Sequence, residues 1–342
     1  MKKMVQAKLV STEKIKLEKV KVPSITSDEV LIQVKVCGIC GSDIHAYKGR
    51  HPFIHPPIVL GHEFSGLVSE VGSGVKAISK GEKVTVEPNV VCGECYNCLH
   101  GRYNICLNLK VIGCVGHNGA FAEYIVVPKD KVIKLPQGIS WDEASLVEPA
   151  AVAVHAVKKA EQRVGDRVII LGAGPIGLLV MQVAKVSGAK EVIITDLLDY
   201  RLKKACDLGA DRVVNSGREN LANLVKEDYG ERIDLIYDCV GIEETVSQAI
   251  QIARKGTKIL IVGVPEGKIA VNLAYVQDRE LELLGSLMYV REDFTTALEL
   301  IHQGKIKVRP LVSHHFTLEE TDKAFQKILT MKEEVLKVLV QI

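Results

Sequence analysis

Several familiar signals are missing from this sequence. Basic and acidic residues nearly cancel, 44 against 42 for a formal net charge of +2, and neither sign gathers into a block. Aromatic residues are only 5% of the chain and do not interleave with basic ones, so nothing suggests a nucleic-acid partner. No apolar run is long enough to cross a bilayer. Lys8 interrupts the apolar residues of the N-terminus, which does not read as a signal peptide. There is no internal repeat and no low-complexity tract. The expectation is a cytoplasmic globular protein with no membrane partner. Its 342 residues exceed what one hydrophobic core usually serves, and 47% hydrophobic content supplies two.

Cysteine is sparse along most of the chain, yet four of the nine fall in one short stretch, Cys92, Cys95, Cys98 and Cys106. That spacing fits one tetrahedral zinc ion. Disulfides or small core residues are the bland alternatives, but the pattern is unlike a secreted disulfide framework. The segment also carries Gly93, Asn97, Gly101 and Asn104 with little apolar periodicity, so a metal would order backbone that packing alone cannot. Four thiolates leave no open coordination position. This zinc is therefore expected to be structural, with the chemistry elsewhere.

Upstream the chain reads Gly38-Ile39-Cys40-Gly41-Ser42-Asp43-Ile44-His45 and, after a proline-rich bend, Gly61-His62-Glu63. Cys40, His62 and Glu63 could form a second, open site, although a lone Cys or His is more often core than ligand. Glu148 lies next to Pro149 at the end of an apolar segment, where burial without a partner or a metal is costly.

A third signal is Gly172-Ala173-Gly174-Pro175-Ile176-Gly177, which follows an apolar strand and opens a helical segment at 178–187. In that context the glycines read as a dinucleotide fingerprint. Gly172 makes the tight turn, Gly174 admits the pyrophosphate and Gly177 allows close helix packing, while the helix N-terminus favours the anion. The next strand ends on Asp196, placed for the adenosine ribose. Its carboxylate accepts from a free 2'-hydroxyl and repels a 2'-phosphate, which favours NAD over NADP. Arg201, five residues on, either softens that choice or is a solvated charge beside Lys203 and Lys204.

Residues up to about 127 alternate as strands do, as in 30–36, with turns at 72–74 and 81–82. From about 151 to 288, apolar strands at 168–171, 192–195, 212–214, 235–237, 259–262 and 281–284 alternate with helical stretches, implying a doubly wound parallel sheet. Helices are expected at 295–302 and 321–331, and a strand at 335–340. The fold class is α/β.

Taken in order, these motifs resemble the zinc-dependent medium-chain dehydrogenase/reductase family over essentially the whole chain. The run Leu146-Val147-Glu148-Pro149-Ala150-Ala151 is similar to its polyol, butanediol and threonine dehydrogenase branch. The resemblance implies a mostly-β GroES-like catalytic domain at 1–150 plus 289–342, a Rossmann NAD-binding domain at 151–288, and an active site between the two lobes. It implies two zinc ions per chain. Cys40, His62 and Glu63 would hold the catalytic ion, with Glu148 as fourth ligand or partner of its water, and Cys92, Cys95, Cys98 and Cys106 the structural one. Ser42 and His45 match the family's proton-relay positions, and Asp43 would orient His62. Gly172, Gly174, Pro175, Ile176, Gly177, Asp196 and Arg201 would contact the cofactor.

The implied reaction is oxidation of a small-molecule alcohol to a ketone by a homo-oligomer, a tetramer or dimer. Candidate pocket residues are Ile44, Tyr47, His51, Cys114, His117, Tyr289 and Arg291, several of them polar, which leans toward a polyol, sugar acid or vicinal diol. Arg291 could instead meet the carboxylate of L-threonine, or pair with Glu292 or Asp293. A non-catalytic zinc- and dinucleotide-binding regulator is the alternative of another class.

Overall fold

The computed structural model describes residues 2–331 and 333–342. It divides into two compact units, one of 1–148, 290–294 and 312–342, the other of 149–289 and 295–311. The segment 295–311 thus groups with the second unit, whereas the expected division had it in the first.

The first unit is built on strands, as the alternation at its start implies. Its main sheet runs in the order Val132–Lys134, Lys83–Val86, Glu63–Val71, Glu29–Gly38, Lys337–Gln341, Val312–Thr317, with Tyr124–Pro128 pairing Glu29–Gly38 beside this path. Register is what builds the site here. Gly38 lies opposite Glu63 on one side and Leu339 on the other. A Cβ on Gly38 would stand 2.2 Å from Glu63 Oε2, so only glycine lets the carboxylate come this close. The chain then turns into the helix Gly41–Tyr47, an element the strand pattern did not announce, with Cys40 at its N-cap.

The second unit contains a six-stranded, wholly parallel sheet in the order Arg212–Asn215, Glu191–Asp196, Arg167–Leu171, Leu235–Asp238, Lys258–Ile261, Glu282–Gly285. Its central strands are apolar on both faces because helices cover both, and Val168, Ile169, Ile170 and Leu171 are fully buried. This is the doubly wound order, whose reversal beside Arg167–Leu171 creates a crevice at the strands' carboxyl ends. Among the described residues no helix is long and apolar enough to cross a membrane.

Candidate functional site

The four clustered cysteines come together as their spacing implies. Sulfur to sulfur distances are 3.5 Å for Cys95 to Cys98 and Cys92 to Cys106, and 3.9 Å for Cys92 to Cys98 and Cys95 to Cys106. A tetrahedral ion with zinc to sulfur bonds of about 2.3 Å needs sulfurs about 3.8 Å apart, so the cradle fits zinc. Backbone N–H groups already point at the sulfurs, from Cys92 and Asn108 to Cys106 Sγ at 3.4 and 3.3 Å. The N–H groups of Leu107 and Cys98 hold the Cys95 thiol at a pKa of about 6, well below an ordinary thiol. Only the short turns Tyr96–Leu99 and Tyr103–Ile105 form in this lobe.

The second constellation is equally definite. One donor atom each from Cys40, His62 and Glu63 lies within 4.8 Å of the others, a thiol, an imidazole and a carboxylate suited to zinc. Glu148, in the first turn of the helix Val147–Lys159, is 5% exposed and faces the same region. Asp43 ties the parts together: its Oδ2 accepts from the Cys40 N–H at 2.9 Å, and its Oδ1 lies 3.7 Å from His62 Nδ1. The latter distance is too long for a hydrogen bond. Nearer that nitrogen is Cys114, whose buried Sγ lies 3.2 Å away.

Sequence reasoning missed Lys337. Its ammonium is 4% exposed and donates to both oxygens of fully buried Glu63 at 2.8 Å, and to the Ile39 carbonyl at 3.1 Å. Burial alone would lower its pKa, but Glu63 and the neighbouring Cys40 and Glu148 outweigh that and raise it. A thiolate and two carboxylates around a divalent metal would leave one negative charge too many, which the Lys337 ammonium would cancel. A lysine in an ordinary strand 274 residues from its partner leaves no local signal.

Ser42 and His45 lie three residues apart on the helix Gly41–Tyr47, both half-buried, and that spacing puts them on one helical face. Two other candidates belong elsewhere. Tyr47 is a core residue, 2% exposed, with its hydroxyl donating to the Glu13 carbonyl at 3.0 Å and lying 3.3 Å from Asp322. The Arg291 guanidinium lies 3.3 Å from Glu87 and donates to the carbonyls of Asp130 and Val132. It bridges the Glu87 carboxylate and two backbone carbonyls. His51 likewise uses Nδ1 to accept from the N–H groups of Phe53 and Ile54 at 3.1 Å, and burial together with His45, His55 and His62 lowers its pKa. It is thus a neutral turn-former. Tyr289 is wholly buried and Ile44 half-buried.

In the second unit, the turn after Arg167–Leu171 has the expected geometry. Gly172 has φ +94°, a left-handed value that favours glycine, and a Cβ on Gly177 would sit 1.9 Å from the Gly172 carbonyl. Gly174 caps the helix Pro175–Val186, whose first residue is proline, and has open space around its Cα. Ile176 follows in the first turn. Beside it is a cavity of about 560 Å³ lined by Gly172, Asp196, Arg201 and Ser216, among others. The helix N-terminus at the turn and the carboxylate at the cavity suit a dinucleotide. Asp196 Oδ2 accepts from the Ala173 N–H at 2.9 Å and Oδ1 from the Leu198 N–H at 3.0 Å. Arg201 reaches to 3.4 Å of the same carboxylate and lines the cavity, so it is no solvated helix charge.

Comparison with known proteins agrees with both halves. Residues 26–137 match the alcohol dehydrogenase GroES-like domain, and 175–303 the zinc-binding dehydrogenase domain. Sorbitol dehydrogenase of Bacillus subtilis (strain 168) is 36% identical over 96% of this chain and 95% of its own length. D-arabitol-phosphate dehydrogenase of Enterococcus avium is 37% identical over 94% and 92%. A structure described as a zinc-binding dehydrogenase from Sinorhizobium meliloti 1021, bound to NADP, superposes with a TM-score of 0.94 at 32% identity, covering all of both chains.

Proposed function

The chain belongs to the zinc-dependent medium-chain dehydrogenase family, and from that premise we propose that it oxidises a secondary alcohol of a polyol, sugar acid or vicinal diol to the ketone with NAD. The convergence of Cys40, His62 and Glu63 at the end of the helix that carries Ser42 and His45 is the observation behind this reading. Cys40, His62, Glu63 and Glu148 would hold the catalytic zinc, and Cys92, Cys95, Cys98 and Cys106 the structural one. Zinc supplies Lewis-acid polarisation of the substrate oxygen, and NAD accepts the hydride.

The chain's own part is to place donors and move a proton. Ser42 takes the proton of the substrate hydroxyl and His45 carries it toward solvent. Asp43 fixes the Cys40 backbone by its 2.9 Å hydrogen bond, and Lys337 holds Glu63. Measuring NADH formation across polyols, sugar acids, diols, threonine and simple alcohols tests the reading; no oxidation of any of them would return the chain to a binding or regulatory role. Arg291, 3.3 Å from Glu87, already meets a carboxylate of this chain, which weighs against its meeting that of threonine.

His45→Ala should slow alcohol oxidation most at low pH, where no other base takes the proton, and by roughly a hundredfold or more. Oxidation should recover at high pH or with added imidazole. A uniform loss at every pH, unrelieved by imidazole, would remove His45 from the relay.

The preference for NAD rests on Asp196. Its replacement by alanine should shift the ratio of kcat/KM for NAD over NADP by roughly 10- to 100-fold toward NADP, since hydrogen bonds to a charged group are worth about 1.5–3 kcal/mol. Arg201, already at the cavity wall, then meets the 2'-phosphate. An unchanged ratio would mean that Asp196 does not face the ribose.

A homo-oligomer is part of the proposal. The strand Glu282–Gly285 ends its sheet, with Leu283 exposed in it and Leu287 exposed just beyond it. Such an apolar edge suits a second copy of the chain, a dimer or a tetramer, and sedimentation at micromolar concentration checks it. Four thiols at metal-binding spacing suit a reducing compartment, and a cytoplasmic location completes the reading.

A further inference from the structure

Two triads of metal-binding side chains meet at His62. Besides the one with Cys40 and Glu63, a donor atom each from Asp43, His62 and Cys114 lies within 4.8 Å of the others, a carboxylate, an imidazole and a thiol. All three residues are buried. Cys114 Sγ lies 3.2 Å, and Asp43 Oδ1 3.7 Å, from the same nitrogen, His62 Nδ1. Oδ1 has no hydrogen-bond partner among the described residues. A wholly buried carboxylate oxygen in that state is costly, and a cation would relieve it.

Read as metal ligands, these atoms are well spaced. A tetrahedral zinc ion bonded to sulfur at about 2.3 Å and to nitrogen and oxygen at about 2.1 Å sets sulfur and nitrogen about 3.5 Å apart, and nitrogen and oxygen about 3.4 Å. The observed 3.2 and 3.7 Å bracket those values. A thiolate and a carboxylate also balance the charge of a divalent ion. Asp43 Oδ2 is engaged by the Cys40 N–H at 2.9 Å, so Oδ1 is the oxygen left for an ion. Cys114 also stands in the wall of a cavity of about 390 Å³, with Phe53, His55 and His117, which gives an ion a path to the thiol.

A neutral imidazole has one lone pair, on the nitrogen without the proton, and so serves one ion at a time. We propose that Asp43, His62 and Cys114 form an inhibitory position for a thiophilic divalent ion, cadmium or zinc in excess, which competes with the catalytic site for His62. The inference rests on the reading of Cys40, His62 and Glu63 as that catalytic site. The thiolate selects a soft ion and disfavours magnesium, which takes oxygen ligands. Filling the position draws the imidazole away from Cys40 and Glu63, and turnover falls.

Cadmium chloride added to the zinc-loaded enzyme should inhibit NADH formation from the best alcohol of the panel above, and magnesium chloride should not. Cys114→Ser and Cys114→Ala should each raise the half-inhibitory cadmium concentration by roughly tenfold or more, with each variant scaled to its own rate without cadmium. Even an outer partner of a metal ligand is worth about 10- to 100-fold in affinity. Ultraviolet absorption of the cadmium–thiolate bond, recorded without NAD, gives a readout independent of turnover: its rise in wild type should exceed that in either variant. Wild type that cadmium does not inhibit would overturn the inference, an outcome that requires no variant to fold. So would inhibition and absorption unchanged by both substitutions, which would put the ion at Cys40 or in the four-cysteine lobe. In either case the alcohol is still oxidised and the dehydrogenase reading stands. Absorption that depends on Cys114, in a protein that oxidises no alcohol, would keep the metal position and remove the dehydrogenase reading.

Discussion

Lys337→Met should cost the protein about 3–5 kcal/mol of stability, because it leaves the Glu63 carboxylate buried without its cation. Denaturant unfolding of the first unit measures the loss, and zinc analysis after dialysis should find the more exchangeable ion depleted. Adding Glu63→Met to this variant should restore much of the stability, since two apolar side chains replace the pair, but not the metal affinity. Lys337→Arg should keep more of both than methionine does. Equal stability of wild type and Lys337→Met would show that Glu63 does not depend on this cation. The pH dependence follows from the raised pKa. The unfolded chain loses the lysine proton near about 10.4 while the folded chain keeps it to higher pH. The contribution is therefore complete below that value and is lost as pH rises through the folded one.

Cys40→Ser and Cys95→Ser should fail in opposite ways. Loss of Cys40 removes a thiolate from the open site, and with it Lewis-acid assistance worth several kcal/mol; turnover should fall by roughly a thousandfold or more. The fold around it has its own support, since the strand Glu29–Gly38 pairs on both sides. The unfolding temperature should change little. Loss of Cys95 instead opens the lobe at 92–106, which has two short turns and no strand or long helix to hold it. Zinc content should drop by one ion and the unfolding temperature fall, because metal binding and ordering are one process there. Calorimetric scans and metal analysis of both variants decide the matter. Identical unfolding profiles would refute the division of labour between the two sites.

What was legible in the sequence was whatever short-range pattern encodes. The parallel strands were visible because a sheet covered on both faces needs continuous apolar runs, and the observed strands extend the expected ones by one residue, at one end for Arg167–Leu171 and at both for Glu191–Asp196. The four cysteines were visible because metal geometry requires local spacing. The helix Gly41–Tyr47 was not, being seven residues in a glycine-bearing segment with little periodicity. Pairings made by register were also hidden. Arg291 looked like a ligand for a carboxylate because nothing in its neighbourhood in the sequence names Glu87, 204 residues away. Cys114 could be suspected, but its approach to His62 becomes apparent only when the two segments meet.

The long reach of Lys337 to Glu63 also sets an order in time. A nascent chain grows from the N-terminus at about 5–20 residues per second, so the 274 residues between the partners take roughly 14 to 55 seconds to make. The four-cysteine lobe is local, and once emerged it can capture its ion at once. The open site cannot reach charge balance until the strand Lys337–Gln341 inserts beside Glu29–Gly38. If the two proposed sites bind zinc, the ions would therefore be acquired in sequence during synthesis, the structural one early and the reactive one only after the last strand docks. An unfinished polypeptide would thereby be kept from assembling a reactive metal centre.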